Sequence, residues 1–247
     1  MLALTVTSLP AAGPAPAPPA RIGHALVVGA AGFAWCSLAL GLATTGAMNA
    51  AGSSMILSGT FFYGGLVQLV AGFFALASGA TFVAAFLTAY GAFWLGYTAI
   101  QVYVVPHIVS SVLASAAGTG ASPQALQGQA GHDVAQSLGT FLVAWLVVTA
   151  IFTVASLGTN AVTVLAFLLL DTTVVLLMVA YLGASSAGVP STSTLHAAGW
   201  VEIVLAAVAF YIVLAELANE TLRRAIFPLF PLVRGEASAV PAAPAAA

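Results

Sequence analysis

An all-α membrane protein with six transmembrane helices is the fold class this sequence predicts, and three observations predict it. Hydrophobic residues make up 62% of the 247 positions and charged residues only 4%, whereas a water-soluble domain carries roughly a quarter charged residues. Six apolar runs, each near the roughly 20 residues that a bilayer core requires, fall at approximately 24–46, 54–76, 81–104, 134–156, 161–183 and 195–218. Arginines flank the whole set, with Arg21 before the first run and Arg223, Arg224 and Arg234 after the last. Basic residues near span ends tend to stay cytoplasmic, so both termini are expected in the cytoplasm, which requires an even number of spans.

The same composition excludes several function classes. There is no lysine, and no fixed positive charge lies between Arg21 and Arg223. Nucleic-acid binding needs many cationic contacts to phosphate, and a retinal Schiff base needs a lysine, so neither is expected. The single cysteine, Cys36, precludes an internal disulfide and reads as a small packed hydrophobe. His24, His107, His132 and His196 are scattered without metal-ligand spacing. No Ser-His-Asp arrangement at matched depth suggests a hydrolase. Neither a cofactor, a metal nor an enzymatic activity is expected.

Taken in order, residues 1–20 run into PAAGPAPAPPA and read as a disordered tail rather than a signal peptide. Residues 233–247 are similarly rich in Ala and Pro, leaving 21–232 as the membrane domain. In the second span Gly65, Gln68 and Gly72 fall at i, i+3 and i+7, giving one nearly bare face with an amide at its centre. In the third, Phe86, Tyr90, Phe93 and Tyr97 recur at i, i+4, i+7 and i+11. This spacing serves either a packed helix hairpin or the wall of a narrow, mostly dry path. ALASGA and LGTN read as short turns, and Val105 to Asp133 as a polar external loop.

Ionisable groups inside spans are costly and are functional candidates by default. Asp171, near the middle of span five, serves either as a proton-coupling group or as a hydrogen-bonded pin to a neighbouring helix. Glu202, early in span six, reads as an acid near the external interface. Glu216, Asn219, Glu220 and Arg224 form a polar cluster closing span six, in which Glu220 and Arg224 are four apart, a favourable helical pair.

Four segments carry a resemblance. FYGGLVQ at Phe62–Gln68, TFVAAFLTAYGAFW at Thr81–Trp94, HAAGW at His196–Trp200 and YIVLAELANETLRRAIFP at Tyr211–Pro228 resemble the acetate uptake transporter family, which includes bacterial succinate-acetate permeases. One segment departs from it. The family's Asn-Pro-Ala-Pro-Leu-Gly-Leu reads HALVVGA here, so His24 replaces the asparagine, both prolines are gone and Gly29 keeps its register. The resemblance implies six-helix protomers in a homohexamer, each with an hourglass-shaped path. It implies a constriction of Phe33, Tyr90 and Leu170, path-lining or bracing roles for Gln68, Trp94, Trp200 and Tyr211, and a substrate access site at His24 and Gly29. It further implies a plasma-membrane channel or proton-linked transporter for acetate and similar short carboxylic acids. The residues leave two alternatives open: a channel for neutral polar solutes such as urea, amides or ammonia, and a membrane sensor that moves nothing.

Overall fold

Among residues 23–232, which the computed structural model describes, six helices are long and apolar enough to cross a bilayer. They are α1 (Ala25–Thr44), α2 (Gly52–Ala77), α3 (Thr81–Ser115), α4 (Pro123–Ser156), α5 (Ala161–Leu182) and α6 (Thr192–Leu222). The predicted Ala/Pro-rich tails, with Arg21 and Arg234, lie outside the described residues. Side-chain caps start four of the helices. Asn49 accepts from Gly52 N–H at 2.7 Å, Asn160 from Thr163 N–H at 2.9 Å, Ser122 from Ala125 N–H at 3.3 Å, and Ser191 from Thr194 N–H at 3.4 Å. Each cap satisfies an N–H that the helix itself leaves without a partner.

The helices are apolar on nearly all sides, so small residues set which faces meet. α1 crosses α6 at two glycines. A Cβ on Gly41 would lie 2.9 Å from the Gly199 carbonyl oxygen, and one on Gly199 would lie 2.8 Å from the Thr45 nitrogen. The α2–α3 hairpin closes in the same way, with Gly72 against the Thr88 nitrogen and Gly91 against the Leu69 nitrogen, both at 2.8 Å from an added Cβ. α4 packs on α5 and α5 on α6, completing the bundle. His24, just before α1, lies 3.7 Å from Glu216 and 3.9 Å from Glu220 near the end of α6. Both ends of the bundle are therefore on one side, called here the terminal side.

Two expectations change. Val105 to Asp133 is largely helical rather than a polar loop: α3 runs on through Ser115, and α4 begins at Pro123. Ser122 as the cap and Pro123 in the first turn form a helix-start signal that outweighs the polarity of the segment. At about 1.5 Å per residue, α3 and α4 are each about 50 Å long, well beyond a hydrocarbon core of about 30 Å. The Glu220–Arg224 helical pair does not form, because α6 ends at Leu222 and Arg223 turns left-handed at φ 51°. Arg224 therefore lies past the helix.

Asn219 organises that ending. Its side chain accepts from the N–H groups of Ile226 and Phe227 and donates to the Phe227 carbonyl, all within 3.0 Å. The segment beyond folds back onto the α4–α5 turn, where Ala161 N–H donates to the Phe230 carbonyl and Leu232 N–H to the Thr159 carbonyl, both at 3.0 Å. Wider, π-helical turns interrupt α2 at Thr60–Val67 and α3 at Ile100–Val104. The hydroxyls of Thr60 and Thr98 meet at 2.8 Å beside them.

Candidate functional site

Phe33 on α1, Tyr90 on α3 and Leu170 on α5 come together in the core, at 4%, 2% and 7% exposure. The Phe33 ring stands edge-on to Phe86 at 5.7 Å and to Tyr90 at 5.4 Å. Thr149 donates its own proton to the Trp145 carbonyl at 2.8 Å, so the Tyr90 hydroxyl is the donor in their 2.6 Å contact. That bond ties the phenol across to α4.

Phe33 and Leu170 line two cavities at once. The one on the terminal side is about 100 Å³ and is walled largely by Phe82, Phe86 and Phe167, with Thr159, Asn160 and Thr163 as its polar residues. The one on the opposite side is about 30 Å³ and includes Tyr90, Trp94 and Trp145. A cavity of that size accommodates about two water-sized groups. Four polar residues from four helices, Ser37, Thr149, Thr173 and Glu202, also line it.

Glu202 departs most from expectation. It is 3% exposed and faces this cavity, whereas the sequence reading placed it at an interface with water. Two residues earlier, Trp200 is 63% exposed, points out of the bundle and lines neither cavity. Positions two apart on a helix lie about 200° around the axis, so only one of this pair can face inward. Ser37, Thr149 and Thr173 were likewise missed by sequence reasoning. Their neighbours are so apolar that no local pattern marks a lone hydroxyl.

The other candidates divide between the cavity walls and the surrounding scaffold. Trp94 lines the small cavity. Gln68 is fully buried among α2 residues packed on α3 and outside both cavities, its amide atoms unpartnered. Asp171 accepts from the Thr153 hydroxyl at 2.6 Å, joining α5 to α4, and lines neither cavity. Gly29 marks close packing, since a Cβ there would lie 2.5 Å from the Leu87 side chain. His24 borders a separate apolar groove with Leu66, Val70 and Phe74 of α2. Tyr211 donates to the Pro228 carbonyl at 2.8 Å and braces the folded-back segment. Glu216 and Glu220 face His24.

A model of the GPR1/FUN34/yaaH family matches residues 7–234. The chain belongs to this family. Members resembling it include acetate permease A of Emericella nidulans, 30% identical over 204 residues that cover 82% of this chain and 64% of the relative. The chain thus spans under two thirds of that fungal protein. The succinate-acetate/proton symporter SatP of Escherichia coli is 28% identical over 209 residues, covering 85% of this chain and 96% of the relative. A solved structure of the bacterial acetate channel SatP superimposes with a TM-score of 0.66 at 27% identity, covering 85% of this chain and 99% of that one.

Proposed function

We propose that this protein moves acetate and similar short carboxylic acids across a membrane, between the two cavities and past Phe33, Tyr90 and Leu170. The observation that carries the reading is the pair of cavities sharing an apolar wall at Phe33 and Leu170. The names of the relatives, acetate permease and succinate-acetate/proton symporter, and of the acetate channel with the same fold agree on the substrate class.

No Lys or Arg lies between Arg21 and Arg223 to pair with an anion. Stripping a carboxylate of water in a dry interior costs several kcal/mol. Protonating a carboxyl of pKa about 4.3 at pH 7 costs about 3.7 kcal/mol. The dry wall therefore favours the neutral acid, and flux rises as pH falls. Trp94 lines the path, while Gln68 and Tyr211 brace it. The arginines flanking the spans in sequence support cytoplasmic termini, and a plasma membrane is the proposed location. Outward-facing apolar side chains such as Phe62, Phe73 and Trp200 meet lipid or a neighbouring protomer of a homohexamer.

The test is uptake of labelled acetate into proteoliposomes at pH 5 and pH 7, with empty liposomes as blank. Excess propionate suppresses the flux and excess urea does not. Suppression by urea, or uptake that ignores pH, overturns the reading. The absence of any cation in either cavity also suits neutral polar solutes, and the same competition separates that alternative.

A further inference from the structure

Buried polar atoms are almost always hydrogen-bonded, and each exception needs a reason. Four exceptions belong to residues that line the small cavity, one from each of four helices: Ser37 Oγ on α1, Trp94 Nε1 on α3, Thr173 Oγ1 on α5 and Glu202 Oε2 on α6. The three side chains other than Trp94 are at most 3% exposed, and Trp94 is 1% exposed. A packing defect strands one such atom; four among the residues of one cavity wall point to a polar subsite. An indole N–H only donates, hydroxyls donate or accept, and a carboxyl donates only when protonated. The titratable groups within electrostatic reach of Glu202 are Cys36 on α1, Tyr97 on α3 and Tyr181 on α5, with Tyr90 on the same cavity. Among the described residues, α4 brings Leu142, Trp145 and Thr149 to the cavity, and no Lys, Arg or His lines it.

We propose that these four groups form a subsite for the carboxyl group of the permeating acid, and that Glu202 makes it accept that acid only together with a shared proton. The proposal rests on the transport reading above. Two adjacent carboxylates repel each other, whereas a carboxyl and a carboxylate hold one proton between them. An arriving anion meets protonated Glu202, whose O–H donates to it. An arriving neutral acid donates instead to ionised Glu202. Ser37, Thr173 and Trp94 supply the remaining donors. When the neutral acid moves on past Phe33, it carries the proton with it, and Glu202 regains one from water or from the next acid.

Glu202→Gln keeps the shape and one donor but can neither hand over nor take up a proton. Acetate flux above the empty-liposome blank is measured for wild type and variant from pH 5 to pH 8. Both proteins keep the dry wall, so the quotient of wild type over variant isolates the proton that Glu202 supplies. The quotient is expected near one at pH 5, where much of the acid arrives with its own proton, and at least tenfold higher at pH 8, where an arriving anion is neutralised by the proton that Glu202 hands over. A quotient constant over that range overturns the proposal while leaving the transport reading intact. Absence of protein-dependent flux in both proteins at every pH overturns the transport reading and the subsite with it. Should the glutamine variant not purify as a monodisperse protein, Glu202→Met, also unable to ionise, tests the same quotient. Ser37→Ala combined with Thr173→Val is expected to lower flux severalfold at every pH, and unchanged flux in that double variant counts against the subsite.

Discussion

Replacing Tyr90 by alanine tests whether a dry wall selects the transported species. The phenol packs against Phe33 at 5.4 Å, Phe86 at 5.6 Å and Trp145 at 5.7 Å between ring centroids, and its hydroxyl is bound to Thr149. Its removal opens the cavities of about 100 and 30 Å³ toward each other. The change costs about 3–5 kcal/mol of stability, as for large-to-small core substitutions generally. For a carboxyl of pKa about 4.3 the neutral fraction falls from about 17% at pH 5 to about 0.2% at pH 7, roughly 80-fold. Wild-type flux at fixed total acetate should therefore fall by up to about 80-fold over that interval. In Tyr90→Ala water reaches the wall, the anion crosses as well, and the fall should be less than about tenfold. Tyr90→Phe separates ring from hydroxyl. It removes one hydrogen bond, worth about 0.5–1.5 kcal/mol, and leaves Thr149 satisfied by the Trp145 carbonyl. Its pH profile should follow wild type. Labelled acetate uptake into proteoliposomes reads all three proteins, with empty liposomes subtracted because neutral acid crosses lipid unaided. A Tyr90→Ala profile as steep as wild type would refute the dry-wall argument.

Three other substitutions probe the scaffold. Gly199→Val drives side-chain atoms into the Thr45 backbone where α1 crosses α6; overpacking of this kind costs about 1–3 kcal/mol, read as a lowered Tm in detergent, and an unchanged Tm would show that the crossing yields. Asn219→Ala removes three hydrogen bonds holding the segment after α6, each worth about 0.5–1.5 kcal/mol, so trypsin should cut at Arg223 and Arg224 several times faster. Asp171→Asn keeps its partner Thr153 and lies outside both cavities. Uptake should retain its full pH dependence, and a flattened profile would assign proton coupling to Asp171 instead.

The six spans were legible because bilayer length and apolar composition constrain them directly, and the α2–α3 hairpin because Gly72 and Gly91 leave no room for another packing. The meeting of Phe33, Tyr90 and Leu170 was legible only through resemblance. No periodicity within one helix reveals which aromatic side chain of α1 faces which aliphatic one of α5. The helical extensions beyond the bilayer were misread because their polarity resembles that of a loop, although Ser122 and Pro123 spell a helix start.

Glu202 was misplaced for a reason that the sequence itself holds. Its place early in span six suggests a depth near the external interface, but depth along a helix does not fix which face a residue takes. The small and aliphatic residues of α6 argue the other way. Ala198, Glu202, Leu205 and Ala209 fall at i, i+4, i+7 and i+11, and all four are buried. In a membrane the larger, lipid-tolerant tryptophan faces outward, while the small-residue stripe marks the helix–helix face. A carboxyl on that stripe has no lipid headgroup or bulk water to solvate it, so it must border other polar groups. The cavity of Ser37, Thr149 and Thr173 is where the fold provides them.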